Sequence, residues 1–331
     1  MRITVLSGGV GGARFTRGLL ALLHDRLPDG AGGTTAQVTV VANTGDDMWL
    51  HGVRVCPDLD TLMYTLGGAV HEGQGWGRRD ESSRVSTDLA AYGLGWEWFT
   101  LGDLDLATHL ARTELLRSGL PLSEVTARLA ERWRPGVRLL PMSDQPVETH
   151  VELVDGSTVH FEEWWVRLRA QVPARRFVQV GLEGATAAPG VVEALTTADV
   201  VVLPPSNPVV SIGTILAVPG VRAALAGTAA PVVGVSPVVG GAPVRGMADA
   251  CLQAIGVETS AAAVARHYGV RAQGGILDGW LVDDADAGAV SELQASGLTT
   301  AATDTLMRDV PTTAAIAAAA LALVERPLRH A

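Results

Sequence analysis

The 331-residue sequence contains no lysine; all 25 of its basic residues are arginine. That absence excludes the G-x-x-x-x-G-K-[ST] phosphate loop, a Schiff-base lysine and a pyridoxal-phosphate anchor. Positive charge is also outnumbered, 25 basic residues against 35 acidic, for a formal net charge of −10. A nucleic-acid partner needs a basic face to displace counterions, so none is expected. Cysteine is nearly missing. Cys56 and Cys251 lie far apart and neither belongs to a C-x-x-C pair. They read as reduced buried thiols of a cytoplasmic protein, with no zinc site or disulfide framework. Long hydrophobic runs are lacking too. The longest, residues 314–324, would cross about half a bilayer and is Ala-rich, so a packed terminal helix is expected and no membrane partner. The first residues show no basic stretch leading into an apolar segment, so no secretory signal is read. What remains is 47% hydrophobic and 18% charged, the composition of a chain with a sizeable core. The length fits about two domains, or one large α/β domain with an insertion.

Short β-branched runs ending in Gly, Pro, Asn or Ser mark strands at residues 2–6, 37–42, 177–180, 200–203, 232–235 and 280–282. Continuous apolar runs of this kind suit strands buried on both faces of a parallel sheet. Helical patterns lie between several of them, at 14–27, 212–218, 247–255 and 261–268. The expected fold class is therefore α/β, a Rossmann-like, doubly wound, mostly parallel sheet. From about 61 to 133 the pattern is helical with no convincing strand. It includes helices at 106–116 and 123–133, the second with Ser123 as its N-cap. A β-hairpin follows at 149–153 and 158–161, across Asp155-Gly156. The core is assigned to residues 1–60 and 136–331, with 61–135 as a helical insertion.

Ser7-Gly8-Gly9-Val10-Gly11-Gly12-Ala13-Arg14 follows the first strand and opens the first helix. Glycines allow a tight turn and bare N–H groups, and the helix N-terminus adds a positive dipole end. Together they form a phosphate cradle, or else only a tight strand–helix turn. The third position of a G-x-G-x-x-G count from Gly9 is Arg14, which suits an extra phosphate charge or a salt bridge. The second strand ends in Asn43-Thr44-Gly45-Asp46-Asp47, and Cys56-Pro57-Asp58-Leu59-Asp60-Thr61 follows. In an open α/β sheet the ligand crevice lies beyond the strand carboxyl ends, which places these carboxylates beside the glycine loop. They would repel phosphate unless a cation intervened, and Mg²⁺ fits there. Helix capping or solvation is the alternative for each residue taken singly, and Asp60 is equally a candidate general base.

Ser206-Asn207 closes another strand and is placed to bond a base or phosphate, or simply to cap the next helix. Ser236 to Gly241 closes a further strand in the same manner. Seven of the eight tryptophans (49, 76, 96, 98, 133, 164 and 165) fall between residues 49 and 165. They could stack on a flat heterocycle or serve core and dimer contacts; Trp164-Trp165 reads as interface or core. Asp105 and His109 share one helix face at i,i+4.

These segments occur in one order along nearly the whole chain. With them run Leu101-Gly102-Asp103-Leu104-Asp105-Leu106-Ala107-Thr108-His109, Leu140-Pro141-Met142-Ser143-Asp144, Pro205 to Gly213 and Asp304-Thr305-Leu306-Met307. The ordered set resembles the 2-phospho-L-lactate transferases, the CofD/FbiA family of deazaflavin coenzyme F-420 biosynthesis. The run from His51 to Asp60 and Gly75-Trp76-Gly77 resemble its actinobacterial branch, which moves an enolpyruvyl phosphate rather than a lactyl phosphate. The resemblance implies a Mg²⁺-assisted transfer. The terminal ribityl hydroxyl of 7,8-didemethyl-8-hydroxy-5-deazariboflavin (Fo) attacks the phosphorus of a guanosine-diphospho donor, and GMP leaves. It also implies roles for individual residues. Gly8, Gly9, Val10, Gly11, Gly12, Arg14, Ser206 and Asn207 hold nucleotide and phosphate. Asp46, Asp58 and Asp60 hold metal. Asp60, Trp49, Asp103 and His109 contact Fo, with the insertion contributing to that site. Asp60, Asp58 and Arg14 are the catalytic set. Where relatives carry an arginine this chain has Leu104, so Arg112 or Arg14 would substitute. A homodimer is implied.

Two readings compete with this one. An NAD(P)-dependent oxidoreductase is opposed by Arg14 at the third-glycine position and by the crowd of aspartates. A catalytically silent nucleotide-binding regulator would not need the Asp58/Asp60 pair. Arginine forks onto phosphate but is a poor proton shuttle. In a lysine-free transferase the acceptor's proton must therefore go to a carboxylate, a histidine or water. The choice between enolpyruvyl and lactyl donors is written in no single residue.

Overall fold

The computed structural model describes residues 1–95 and 98–324; Trp96 and the last seven residues of the expected core lie outside these. Strand β1 (Arg2–Ser7) runs into the glycine turn and helix α1 (Val10–Arg26). After β2 (Gln37–Ala42) comes a small hairpin, β3 (Met48–Leu50) and β4 (Val53–Val55). Four helices follow: α2 (Pro57–Leu66), α3 (Arg84–Ala91), α4 (Asp103–Arg117) and α5 (Leu122–Trp133). The chain then forms β5 (Arg138–Pro141) and a separate antiparallel sheet of β6 (Glu148–Leu153), β7 (Thr158–His160) and β8 (Ala174–Val180). It continues through β9 (Val200–Leu203), β10 (Val232–Val235), the hairpin β11 (Val238–Val239) and β12 (Ala242–Pro243), then β13 (Gly279–Val282) and β14 (Thr299–Ala302).

The main sheet has the order β14-β13-β10-β9-β1-β2-β5, with every neighbouring pair parallel. Its residues alternate between two apolar clusters, one on each face. Val5, Val202 and Val233 pack with Phe15 and Leu19 of α1 and with Ile316 of the final helix, Val310–Ala322. Leu6, Leu203 and Val232 pack with Ile212, Ile215, Leu225 and Val264 on the other side. Helices on both faces explain why β9, β10 and β13 are fully buried, apolar runs. The sheet is doubly wound, and its order reverses between β1 and β9. Connections there leave toward opposite faces and open a crevice at the strand carboxyl ends.

Several local expectations need correction. Residues 177–180 are not a parallel core strand; they belong to β8, which pairs antiparallel with β6 and is only partly buried. The outermost positions of the main sheet are filled by β5 and β14 instead. Both are short edge strands with one neighbour; β14 reads Thr-Thr-Ala-Ala, and the apolar run of β5 is only Leu139-Leu140-Pro141. The β3–β4 hairpin turns at His51-Gly52, both at positive φ, a turn without the usual Asn-Gly or Asp-Gly signal. Ser123 does not cap its helix: α5 begins at Leu122 after Pro121, and Ser123 donates from its N–H and hydroxyl to Asp144 (2.7 and 3.0 Å).

Other expectations hold. The hairpin forms with Val151 opposite Val159. Trp164 is core, fully buried, with its Nε1 donating to the Val172 carbonyl (2.8 Å). Both cysteines are buried and free. The terminal helix packs on α1, with Gly18 against Thr313, behind an Asp309–Thr312 capping box. Among the described residues no helix is long and apolar enough to cross a membrane.

Candidate active site

The reversal of strand order brings the ends of β1 and β9 side by side, and a hydrogen bond joins them: the Gly8 N–H donates to Ser206 Oγ (3.2 Å). The glycines here serve close approach rather than positive φ. A Cβ on Gly11 would strike the Pro205 carbonyl, and one on Gly12 would strike the Ser7 and Ser206 hydroxyls. Helix α1 starts at this seam with Gly9 as N-cap and no side-chain cap. Its first-turn N–H groups and dipole therefore form an anion cradle at the crevice.

The carboxylates face that cradle through one amide. Asn43 Nδ2, at the end of β2, donates to Asp46 Oδ2 (3.1 Å) and to Asp58 Oδ2 (2.9 Å). Its Oδ1 accepts from the Gly45 N–H (2.9 Å). Asp58 sits in the first turn of α2, where a negative charge suits the dipole. Burial pushes Asp58 up to about 6, while Asn43 and the Gly9 N–H pull the other way. Burial, and then the charges of Asp58, Glu162 and Asp47, hold Asp46 well above the usual carboxylate range. Glu162 joins them from the segment after β7; burial and then Asp58 and Asp47 push it up to about 8. The Oδ1 of Asp46 is buried with no hydrogen-bond partner. Asp46 and Asp58, joined through Asn43 with one oxygen left unbonded, offer the one or two carboxylates by which Mg²⁺ is held beside substrate oxygens.

Asp60, two residues on, faces a different cluster between α2 and α4. Arg112 Nη2 donates to Asp60 Oδ1. The other Asp60 oxygen lies 3.6 Å from His109 Nδ1. His109 Nε2 lies 3.4 Å from Asp105 Oδ2, and Tyr64 donates to Asp105 Oδ1 (2.6 Å). Asp60, Asp105 and His109 offer ligand atoms all within 4.8 Å of one another. Arg112, however, already sets its charge against Asp60 and Nη1 3.1 Å from His109 Nδ1. The guanidinium is the resident cation here. A guanidinium can only donate, so His109 Nδ1 is the accepting nitrogen of that contact. Burial raises Asp60 above its ordinary value, against the pull of Arg112 and His109. Asp47 lies between the clusters, 3.8 Å from Arg54 Nη2, and burial pushes it up to about 7.

The structure thus unites Gly8, Gly9, Val10, Gly11, Gly12, Asp46, Asp58 and Ser206 at one crevice, and groups Asp60 with His109. Of the other expected residues, Arg14 lies at the rim of the cradle beside Gly75, and the rest stand apart. Arg14, in the first turns of α1, donates to the Glu72 carbonyl (3.3 Å). Asn207 spends its Oδ1 on the Val209 and Val210 N–H groups (2.9 and 3.2 Å) and its Nδ2 on Cys251 Sγ. Asp103 caps α3, accepting from Ser82 Oγ (2.6 Å) and the Arg84 and Val85 N–H groups. Trp49 is half exposed on β3, 5.9 Å from the Arg54 guanidinium. Ser236 is bonded within its own turn. Sequence reasoning missed Asn43 as the bridge and Glu162 altogether. Nothing in Phe161-Glu162-Glu163-Trp164-Trp165 separates the buried Glu162 from its partly exposed neighbour Glu163.

These shifts imply a pH signature. Asp58, Asp47 and Glu162 keep protons in the folded state above their unfolded pKa values and release them only at a cost. The folded state therefore binds more protons than the unfolded state between about 4 and 8, and stability falls as pH rises through that window. The expected result is a metal-free melting temperature that drops from pH 5 to pH 8, with Mg²⁺ restoring more at pH 8. A midpoint that rises over the window would contradict the arrangement.

Residues 3–321 match the family of 2-phospho-L-lactate transferase CofD. The chain belongs to this family. It is a transferase, and the dinucleotide oxidoreductase and silent-regulator readings fall away. Relatives called phosphoenolpyruvate transferase are similar end to end. The Streptomyces griseus protein is 60% identical over 328 residues, covering 98% of this chain and 99% of its own. The Thermobifida fusca protein is 57% identical over 326 residues, with 98% of each chain covered. One from Mycobacterium sp. strain KMS is 53% identical over 331 residues, again with 98% of each covered. The fold is shared with a Bacillus halodurans protein of the UPF0052 family. Its two solved structures align at TM-scores of 0.61 and 0.60 and 19% identity, covering 97% of this chain and 99% and 98% of theirs.

Proposed function

We propose that the protein transfers the phosphoenolpyruvyl group of a guanosine-diphospho donor to the terminal ribityl hydroxyl of Fo. GMP is released and dehydro coenzyme F-420-0 is formed. One observation carries this reading: a glycine-built helix N-terminus without a side-chain cap faces Asp46 and Asp58, two carboxyls joined through Asn43 that pair with no guanidinium among the described residues. An anion cradle opposite clustered carboxylates is the equipment of phosphoryl-type transfer by positioning and charge neutralisation. Relatives called phosphoenolpyruvate transferase support the enolpyruvyl donor over the 2-phospholactyl one.

In this reading Gly8 to Gly12 and Ser206 hold the diphosphate, and Asp46 and Asp58, with Glu162, hold Mg²⁺. When bound, the ion neutralises phosphate charge and polarises the bonds to phosphorus. The ribityl oxygen forms a bond to the phosphorus that carries the enolpyruvyl group, and the phosphoanhydride bond to GMP breaks. The hydroxyl proton passes to a carboxylate, a histidine or water, since no lysine is available. Asp60 and His109, held by Arg112, line the acceptor side together with Trp49. Segment 61–135 supplies that side, and Asp103 acts within it by fixing α3. Asn207 shapes the turn that presents Ser206. We place the enzyme in the cytoplasm as a homodimer.

The test is turnover with Fo, Mg²⁺ and each donor side by side. The enolpyruvyl donor is expected to give a phosphodiester of Fo and GMP at the higher kcat/KM. No product with either donor would overturn the reading. In the same samples GDP is expected to quench tryptophan fluorescence and NAD(H) is not.

A further inference from the structure

We propose that Arg245, carried by the β11–β12 hairpin segment, forms with Arg14 a two-guanidinium clamp for a phosphoanhydride at the mouth of the glycine loop. The donor's identity as a nucleoside-diphosphate ester rests on the function proposed above; the clamp itself rests on the following geometry. Residues 72–77 fold over the start of α1, and Gly75, at φ +81°, is wedged against Val10. A Cβ built on Gly75 would lie 3.1 Å from Arg245 Nη1 and 3.5 Å from Arg14 Nη2. Two like charges from positions 231 residues apart in sequence thus meet at one point beside the anion cradle.

Neither cation is ion-paired there, although the charge of Arg14 is felt by the Glu72 carboxylate. Arg14 donates to the Glu72 carbonyl and Arg245 Nη2 to the Gln74 carbonyl. The nearby Glu72 carboxylate is held by both terminal nitrogens of Arg17 (2.5 and 3.2 Å). Among the described residues neither Arg14 nor Arg245 forms an ion pair with a carboxylate. Arg245 also lies 5.2 Å from the centre of the Trp76 ring, which fixes its plane. Partial burial, and then the charge of Arg14, hold the Arg245 guanidinium below its ordinary pKa. Each guanidinium has five N–H donors, and one bond to a carbonyl leaves most of them free. Paired forks of this kind match the oxygens of a diphosphate, and an arriving anion would relieve the mutual repulsion. The clamp meets the start of α1 at Val10 and Asp58 meets it at Gly9, so phosphate held there would have the guanidiniums as well as the metal to offset its charge.

The experiment titrates wild type, Arg245→Gln and Arg245→Lys with GDP and with inorganic pyrophosphate by calorimetry in Mg²⁺ buffer. Arg245→Gln is expected to weaken both ligands at least ~10-fold and to raise donor KM more than it lowers kcat. Fo affinity and melting temperature should not change, and Arg245→Lys should recover part of the loss. Unchanged GDP and pyrophosphate affinity in Arg245→Gln overturns the clamp while leaving the proposed function intact. Wild type that binds pyrophosphate but not GDP overturns the nucleotide donor and leaves the clamp standing. Wild type that binds neither overturns the clamp.

Discussion

Asp58→Asn is expected to lower turnover at least ~100-fold, the scale of removing one electrostatic contribution from a preorganised site. The substitution keeps the shape of the side chain and removes its charge. In the metal-free protein that charge is a burden: Asp58 is pushed up to about 6 by burial, and its field helps hold Asp46 and Glu162 protonated. Asparagine has one acceptor oxygen and keeps only one of the two bonds, from Asn43 or from the Gly9 N–H, a loss smaller than the relief of the buried charge. The melting temperature is therefore expected to stay level or rise while activity collapses and the Mg²⁺ requirement moves to higher concentration. This opposition of signs separates a functional carboxylate from a structural one, since strained charge clusters persist where function demands them. Near-normal turnover would remove Asp58 from the site.

Arg112→Met is expected to behave the other way, costing stability first. Arg112 is 1% exposed and is the cation set against buried Asp60; it also donates to the Arg54 carbonyl (3.2 Å). Methionine fills similar volume but strands a buried carboxylate, which costs about 3–5 kcal/mol. Denaturant unfolding at pH 7 would read this as a lower midpoint at unchanged slope. Adding Asp60→Asn removes the stranded charge, so the double variant is expected to regain much of the loss. If the two losses simply add, the pair is not coupled. Asp60→Asn alone is also expected to lower turnover ~100-fold, part of it through this pairing, so its melting curve must be measured beside its rate.

How legible all this was in the sequence depends on the range of the interaction. The parallel core was plain, because strands buried on both faces must be apolar throughout, as in β9 and β10. The glycine turn after β1 and the aspartates after β2 were plain for a topological reason: strand ends meet where sheet order reverses. Edge strands β5 and β14 were hidden because Leu139-Leu140-Pro141 is a short run ending in proline and Thr299 to Ala302 carries no large apolar residue. Within the site, Asp58 and Asp60 looked equivalent at a spacing of two. On a helix two residues apart point some 200° apart by the 3.6-residue turn, so one faces Gly9 and Asn43 and the other faces Arg112. Asn207 looked like a ligand and proved to hold its own turn. Glu162 and Arg245 were silent because tertiary folding alone carries them to the crevice.

The most direct test counts products in a single quenched time course of wild-type protein with Fo, the guanosine-diphospho-enolpyruvate donor and Mg²⁺. Phosphorus NMR reads the Fo phosphodiester and GMP together. The expected result is one ester for each GMP, with both abolished by EDTA and restored by Mg²⁺. GMP released without ester, or ester formed undiminished in EDTA, would contradict a metal-assisted transfer at the β1–β9 crevice.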